Sequence, residues 1–278
     1  MKTNEVNAAV ILHPDYDELM ERIKGGDACC PSPVQIVTDA SNCAMGSAAS
    51  LYIKNVISSE LGESAGYFSD RMLYNPRLLS AYSFQPGIVA YIILLVTMIL
   101  TSSSLVREKQ FGTIDSVTLS PLGINVFYFG KSIPYSILGL IVGCITMAVG
   151  ILITGMPVRG SVFAIFLITV LYIITNVRLA MYIALYTSSQ MSAFAICWGG
   201  IVMPVLYCGG ILVPVENLPG WGQTVSDFIY PRWYVEALRK LLIQGMDSIY
   251  VAKETLIMSI STIVVSLACH FKLKRMSR

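Results

Sequence analysis

Charge is what this 278-residue chain is short of. Asp, Glu, Lys and Arg supply 13% of it, against about a quarter in an ordinary soluble domain, while hydrophobic residues supply 55%. Mean hydropathy is +0.66. That much apolar surface cannot be hidden inside one globule, so a lipid environment is expected. The net charge of +2 is small, and no basic stripe with interleaved aromatics appears, which argues against a nucleic-acid partner. Histidine is scarce too. His13 and His270 stand alone without ligand spacing, and no Ser/His/Asp or Cys/His set is arranged for nucleophilic catalysis, so neither a metal site nor an enzyme is expected. The seven cysteines include no Cys-x-x-Cys pair. They read as buried or spare thiols, with a disulfide involving Cys29, Cys30 or Cys43 as the alternative. No secretory signal opens the chain, because the first apolar run, Ala8 to Leu12, is far too short.

What is present divides sharply near Gln85. Residues 1–86 are mixed polar and read as a partial α/β domain. Ala8 to Leu12 predicts a strand, and Asp15 caps a helix running to about Lys24. Pro33 to Asp39 predicts a second strand, and Ser41 to about Leu61 a second helix. Their alternation suggests a parallel strand pair. Residues 87–278 are membrane-grade. Measured against the roughly 20 residues needed to cross hydrocarbon, five spans stand out. They lie at about 87–106, 133–154, 161–186, 191–213 and 254–271. The fourth is interrupted by Gly199-Gly200, Pro204 and Gly209-Gly210, and reads either as kinked or, the favoured form, as re-entrant. The expected fold is an all-α polytopic membrane protein carrying a small N-terminal α/β domain.

Arg107, Lys109 and Lys131 share one side with Lys272, Lys274, Arg275 and Arg278, which positive-inside bias makes cytoplasmic. The N-terminal domain is then extracytoplasmic. Residues 107–131 read either as a helix end anchored by snorkelling basic side chains or as a cytoplasmic segment that presses on a partner. Residues 214–253 read as an external helical segment. Within it, 231–245 predicts an interfacial helix with Trp233, Ala237, Leu238, Leu241 and Leu242 on one face and a Glu236–Lys240 pair. Arg178 is an unexpected charge inside span three. It either snorkels to the headgroups, lines the pathway, or pairs across a dimer. Gly130-Lys131-Ser132 imitates the tail of a phosphate-binding loop. Asn125 stands where that pattern needs glycine, and Val126 to Phe129 are too bulky to expose amides, so no nucleotide is expected there.

Arg107-Glu108-Lys109, Gly112-Thr113-Ile114, Ser120-Pro121 and Gly130-Lys131 together resemble the signature of the ABC type-2 exporter permeases. Gln110, Phe111 and Asp115 are mild departures from it. Tyr74-Asn75-Pro76, Gln85-Pro86-Gly87, Gly210 to Pro219 and Tyr230 to Arg239 are similar to further family motifs in the same order. The resemblance implies a permease subunit of an ABC exporter in the bacterial inner membrane, of the drug, lipid and polysaccharide export kind. It implies pairing with a second permease and with ABC ATPase subunits that hold ATP and Mg, and it allows a periplasmic adaptor. No cofactor is expected on this chain. Arg107, Glu108, Lys109, Gly112, Thr113 and Pro121 would couple to the ATPase. Gly210, Pro214, Glu216 and Pro219 would form an external gate. Family members with such a domain begin with one more membrane helix, so truncation ahead of Met1 is expected. The alternative is a membrane sensor or assembly factor with a ligand-binding external domain and no ATPase partner.

Overall fold

The computed structural model describes residues 8–24, 32–40, 43–61, 68–75, 80–112, 124–156, 158–211, 215 and 218–276. The chain forms two compact units, 1–83 and 84–278.

In the first unit, β1 (Ala8–Leu12), β2 (Val34–Asp39) and β3 (Phe68–Leu73) make a sheet in that order. Helix α1 (Tyr16–Lys24) follows β1 and α2 (Cys43–Leu61) follows β2. The expected parallel pair is corrected here. β1 runs antiparallel to β2, with Leu12 opposite Val34, so the excursion through α1 leaves and returns at one end of the sheet. The parallel neighbour of β2 is β3, reached by a true crossover through the 19-residue α2. Ser69, Asp70 and Arg71 dilute the apolar signal of β3, which is why the sequence hid it. Asp70 pairs with Lys54 and accepts from Ser50 Oγ at 3.2 Å, and so ties β3 to α2. Tyr74, in the Tyr-Asn-Pro motif, takes a left-handed φ of 68° and ends β3.

Among the described residues, five helices are long and apolar enough to cross a membrane: Ala81–Gln110, Val126–Thr154, Val162–Tyr186, Gln190–Cys208 and Ile249–Arg275. Span one belongs to α3 (Ser80–Gln110), span two to α4 (Ile124–Thr154) and span three is α5 (Val162–Tyr186). Span two starts earlier than the sequence indicates, since α4 runs straight through Pro134. Span three opens on Ser161, whose hydroxyl caps the Ala164 amide.

Span four is helical without a break from Gln190 to Cys208, shorter than the 191–213 expected. It joins α6 (Gln190–Ala195), a π-helical stretch (Ile196–Val202) and α7 (Met203–Cys208). The wide turns absorb Gly199-Gly200, and α geometry resumes one residue before Pro204. The proline thus falls in a first turn, where its missing N–H costs least. The chain reverses afterwards, at Gly209 and at Gly210 with φ +73°. Two short helices follow, α8 (Gly220–Phe228) and α9 (Tyr230–Arg239), and then span five, α10 (Ala252–Met276).

Spans one, two and three pack at close quarters through small residues. A Cβ on Gly139 would sit 2.6 Å from Thr97 and 3.1 Å from Ile173, and one on Gly143 would sit 2.9 Å from Ile93. Such a small-x-x-x-small face brings helix backbones together where no hydrophobic effect operates between lipid-bathed helices. Gly139→Ile should therefore wedge span two away and cost about 1–3 kcal/mol, read as a lowered melting midpoint in detergent. An unchanged midpoint would mean the seam is looser than described.

Candidate functional site

The basic end of the bundle gathers the termini of all five spans. Gly112, with φ +71°, stops α3 in the left-handed conformation that helix exits favour. On the last turn, Glu108 pairs with Lys131 at the start of span two. Lys109 reaches across to span three, where its ammonium donates to the carbonyls of Ala184, of Leu185 at 2.9 Å and of Thr187 at 3.4 Å. These are orphan acceptors at the negative end of a helix dipole, so one lysine caps the helix by hydrogen bond and by charge. Lys272, near the end of span five, lies 4.2 Å over the ring of Tyr186.

Arg107 and Gln110 remain exposed, and Phe111 is 79% exposed, a large aromatic offered outward where the helix stops. The Arg-Glu-Lys triplet is therefore split. Two of its charges bind spans together, and the third faces out beside Phe111. Thr113 and Pro121 lie outside the described residues.

Around the middle of span three, three tyrosines lock α9 into the bundle. The ring of Tyr172 stacks on Tyr234 at 4.1 Å and lies 6.0 Å from Tyr230. Tyr172 donates to the Ala90 carbonyl at 3.0 Å, Tyr230 donates to Asn176 Oδ1 at 2.6 Å, and the Tyr234 hydroxyl meets Thr169 Oγ1 at 3.0 Å. The helix expected to lie flat on the bilayer surface is thus buried within the protein: beyond the expected face, Tyr234 and Val235 are buried as well. Its amphipathic sequence marked one apolar face and gave no sign of burial on the other side. Lys240 bonds Glu254 at 2.6 Å and lies 3.2 Å from Glu236, the pair expected from helical spacing. Burial alone would depress the Lys240 ammonium, but hydrogen bonding to Glu254 and the charge of Glu236 hold its pKa above the usual lysine range. Sequence reasoning missed the Lys240–Glu254 link. The available signal was an acid at the head of an apolar run facing a base at the tail of another.

Of the external residues singled out, Gly210 makes the left-handed turn and Pro219 precedes α8, whose Ser226 donates to the Cys208 carbonyl at 2.6 Å. Ile211 packs on Gly87, where a Cβ would come within 3.1 Å. Pro214 and Glu216 lie outside the described residues. Arg178 is half-buried on span three, with its guanidinium 5.3 Å from the ring of Phe129. No group of three or more metal-ligating side chains occurs among the described residues.

Residues 38–243 match the family model for ABC-2 type transporters. The chain is 24% identical to the probable multidrug ABC transporter permease YbhS of Escherichia coli, over 99% of its own length and 74% of the relative's. It is 29% identical to the probable multidrug ABC transporter permease YbhR of the same organism, over 70% of this chain and 55% of that one. A more distant relative is ABC transporter G family member 20 of Dictyostelium discoideum, 24% identical over 59% of this chain and 22% of that one. With a family model covering most of its length and five apolar helices among the described residues, this multi-pass membrane chain belongs to the ABC-2 type transporter family.

Proposed function

We propose that the chain is the membrane-spanning permease subunit of an ABC exporter, paired with a second permease and driven by separate ABC ATPase subunits that bind ATP and Mg. The observation that carries this reading is the division of labour at the basic end. Glu108 and Lys109 fasten span one to spans two and three, while Arg107 and the exposed Phe111 face outward at the entrance to residues 113–123. A push delivered there would move three spans together instead of bending one. Positive-inside bias supports a cytoplasmic location for this end.

On this proposal Arg107, Gly112, Thr113 and Pro121 belong to the surface that meets the ATPase. Gly210, Pro214, Glu216 and Pro219 close the pathway at the external end, beside the buried α9. A periplasmic adaptor is a further partner that would receive the exported molecule. Two relatives bear names that call them probable multidrug ABC transporter permeases, and an apolar or amphipathic substrate follows for this chain by analogy.

The test is a photocrosslinker placed at Thr113 in native membranes, with mass spectrometry of what it captures. Capture of an ABC ATPase is the expected result. Capture of lipid alone, from folded protein with the ATPase present, would overturn the coupling role and favour a membrane sensor.

A further inference from the structure

Spans two and five flank a groove of about 620 Å³ whose floor is span three. Val126 and Phe129 form one wall, and Thr262, Ser266, Leu267 and His270 the other. Arg178 rises from the floor. A second groove of about 410 Å³ meets the first at Arg178 and Phe129 and runs between spans two and three, past Ile133, Ile137 and Leu140. We infer that these joined grooves hold an anionic phospholipid, its phosphate on Arg178 and one acyl chain along Ile133, Ile137 and Leu140.

Three observations carry the assignment. Among the described residues Arg178 has no carboxylate within ion-pair distance, and its one ring contact, Phe129, supplies no negative charge. An unpaired guanidinium in an apolar span is costly, and its planar fork matches a phosphate. The depth is also right. Arg178 lies eight residues from the end of α5, about 12 Å along the axis, from where its long side chain reaches headgroup level. Third, the grooves differ in polarity, the first adding Thr262, Ser266 and His270 to walls that are otherwise apolar. The second groove presents aliphatic side chains and the small hydroxyls of Ser132 and Ser136. A headgroup and a chain need that difference. Basic pockets between membrane helices on the positively charged side are where anionic headgroups bind. Span two and span five have only 17% of their apolar stretches buried within the chain, which leaves this side open to the bilayer.

The experiment is native mass spectrometry of the full chain released from mild detergent, titrated with phosphatidylglycerol and with phosphatidylcholine. Charge-assisted bonds of the kind Arg178 offers predict about tenfold more phosphatidylglycerol than phosphatidylcholine adduct. Arg178→Met should bring the two within about twofold of each other, since a single charge-assisted contact is removed. Ile137→Trp fills the acyl groove without touching the charge, and should lower adducts of both lipids. It keeps the proposal testable should Arg178→Met fail to fold. A preference that survives in folded Arg178→Met would trace it to the basic tail of span five and overturn the assignment. Displacement of the lipid by excess inorganic phosphate would reduce the site to an anion site, and the lipid assignment would fall. Disulfide-linked pairs from Ser266→Cys in native membranes, formed regardless of lipid, would give the groove to a second copy and likewise overturn it.

Discussion

Replacing Lys240 with methionine should cost about 3–5 kcal/mol, because it leaves a buried charge without its partner. Glu254 is 1% exposed, accepts from Lys240 through one oxygen, and has its other oxygen buried without a hydrogen-bond partner. It has no second means of compensation among the described residues. The expected readout is a large fall in melting midpoint in detergent and loss of monodisperse protein. Adding Glu254→Gln to the same chain should recover part of the loss, because the stranded charge goes with it. Glu236→Gln, at a site that solvent still reaches, should cost far less. A Lys240→Met protein that melts with the wild type would show that Glu254 finds another donor, and the argument would fail. The pH dependence has a definite sign. The folded-state pKa of Lys240 is raised, so this stabilisation is complete below the ordinary lysine pKa and is lost as pH rises through the higher folded value. Across neutral pH it is constant.

The second large effect is expected from charge reversal at Glu108. Glu108→Lys would set two ammonium groups against each other where an ion pair, partly shielded from solvent, now joins spans one and two. Loss of that link, worth about 1.5–3 kcal/mol at such a site, should reduce ATP hydrolysis by the reconstituted permease–ATPase complex about tenfold or more. The double variant Glu108→Lys with Lys131→Glu rebuilds the pair in reverse and should restore much of the activity. Arg107→Glu breaks no contact between spans among the described residues, and should act on ATPase capture and not on stability. Equal hydrolysis by Glu108→Lys and wild type, in complexes of equal stability, would sink the idea that this pair transmits force.

These two sites differ in how far the sequence foretold them. The spans were legible because each is a long apolar run bounded by charge, and hydropathy alone finds such runs. Arg107 to Gly112 stood out because charge appears where the apolar run stops and glycine then ends the helix. The part Lys109 plays was not legible. Its partners are backbone carbonyls 75 to 78 residues away, and backbone carries no residue-specific mark. The antiparallel β1–β2 pair escaped notice because the same strand–helix–strand alternation can close either way. Strand β3 escaped because an edge strand with Asp70 and Arg71 lacks the apolar alternation on which strand reading depends. The burial of α9 was hidden for a different reason. Tyr230 and Tyr234 look like interface residues, with one apolar and one polar end, and only Thr169 and Asn176 on span three reveal that both hydroxyls are answered inside the bundle.

The wide turns in span four have a bearing on how its sequence is to be phased. Its inward side chains are Ala193, Cys197, Val202 and Val205, with Gly209 following at the exit. The steps are four, five, three and four residues. The step of five, from Cys197 to Val202, spans the π-helical stretch and would rotate Val202 well off the inward face of a regular α-helix, which advances about 100° per residue. The stretch works as a phase corrector, taking up one surplus residue so that two halves with mismatched periodicity share a single inward stripe. A helical wheel drawn through all nineteen residues would therefore assign the second half to the wrong side. Two wheels, one ending at Cys197 and one beginning at Val202, give the correct lining.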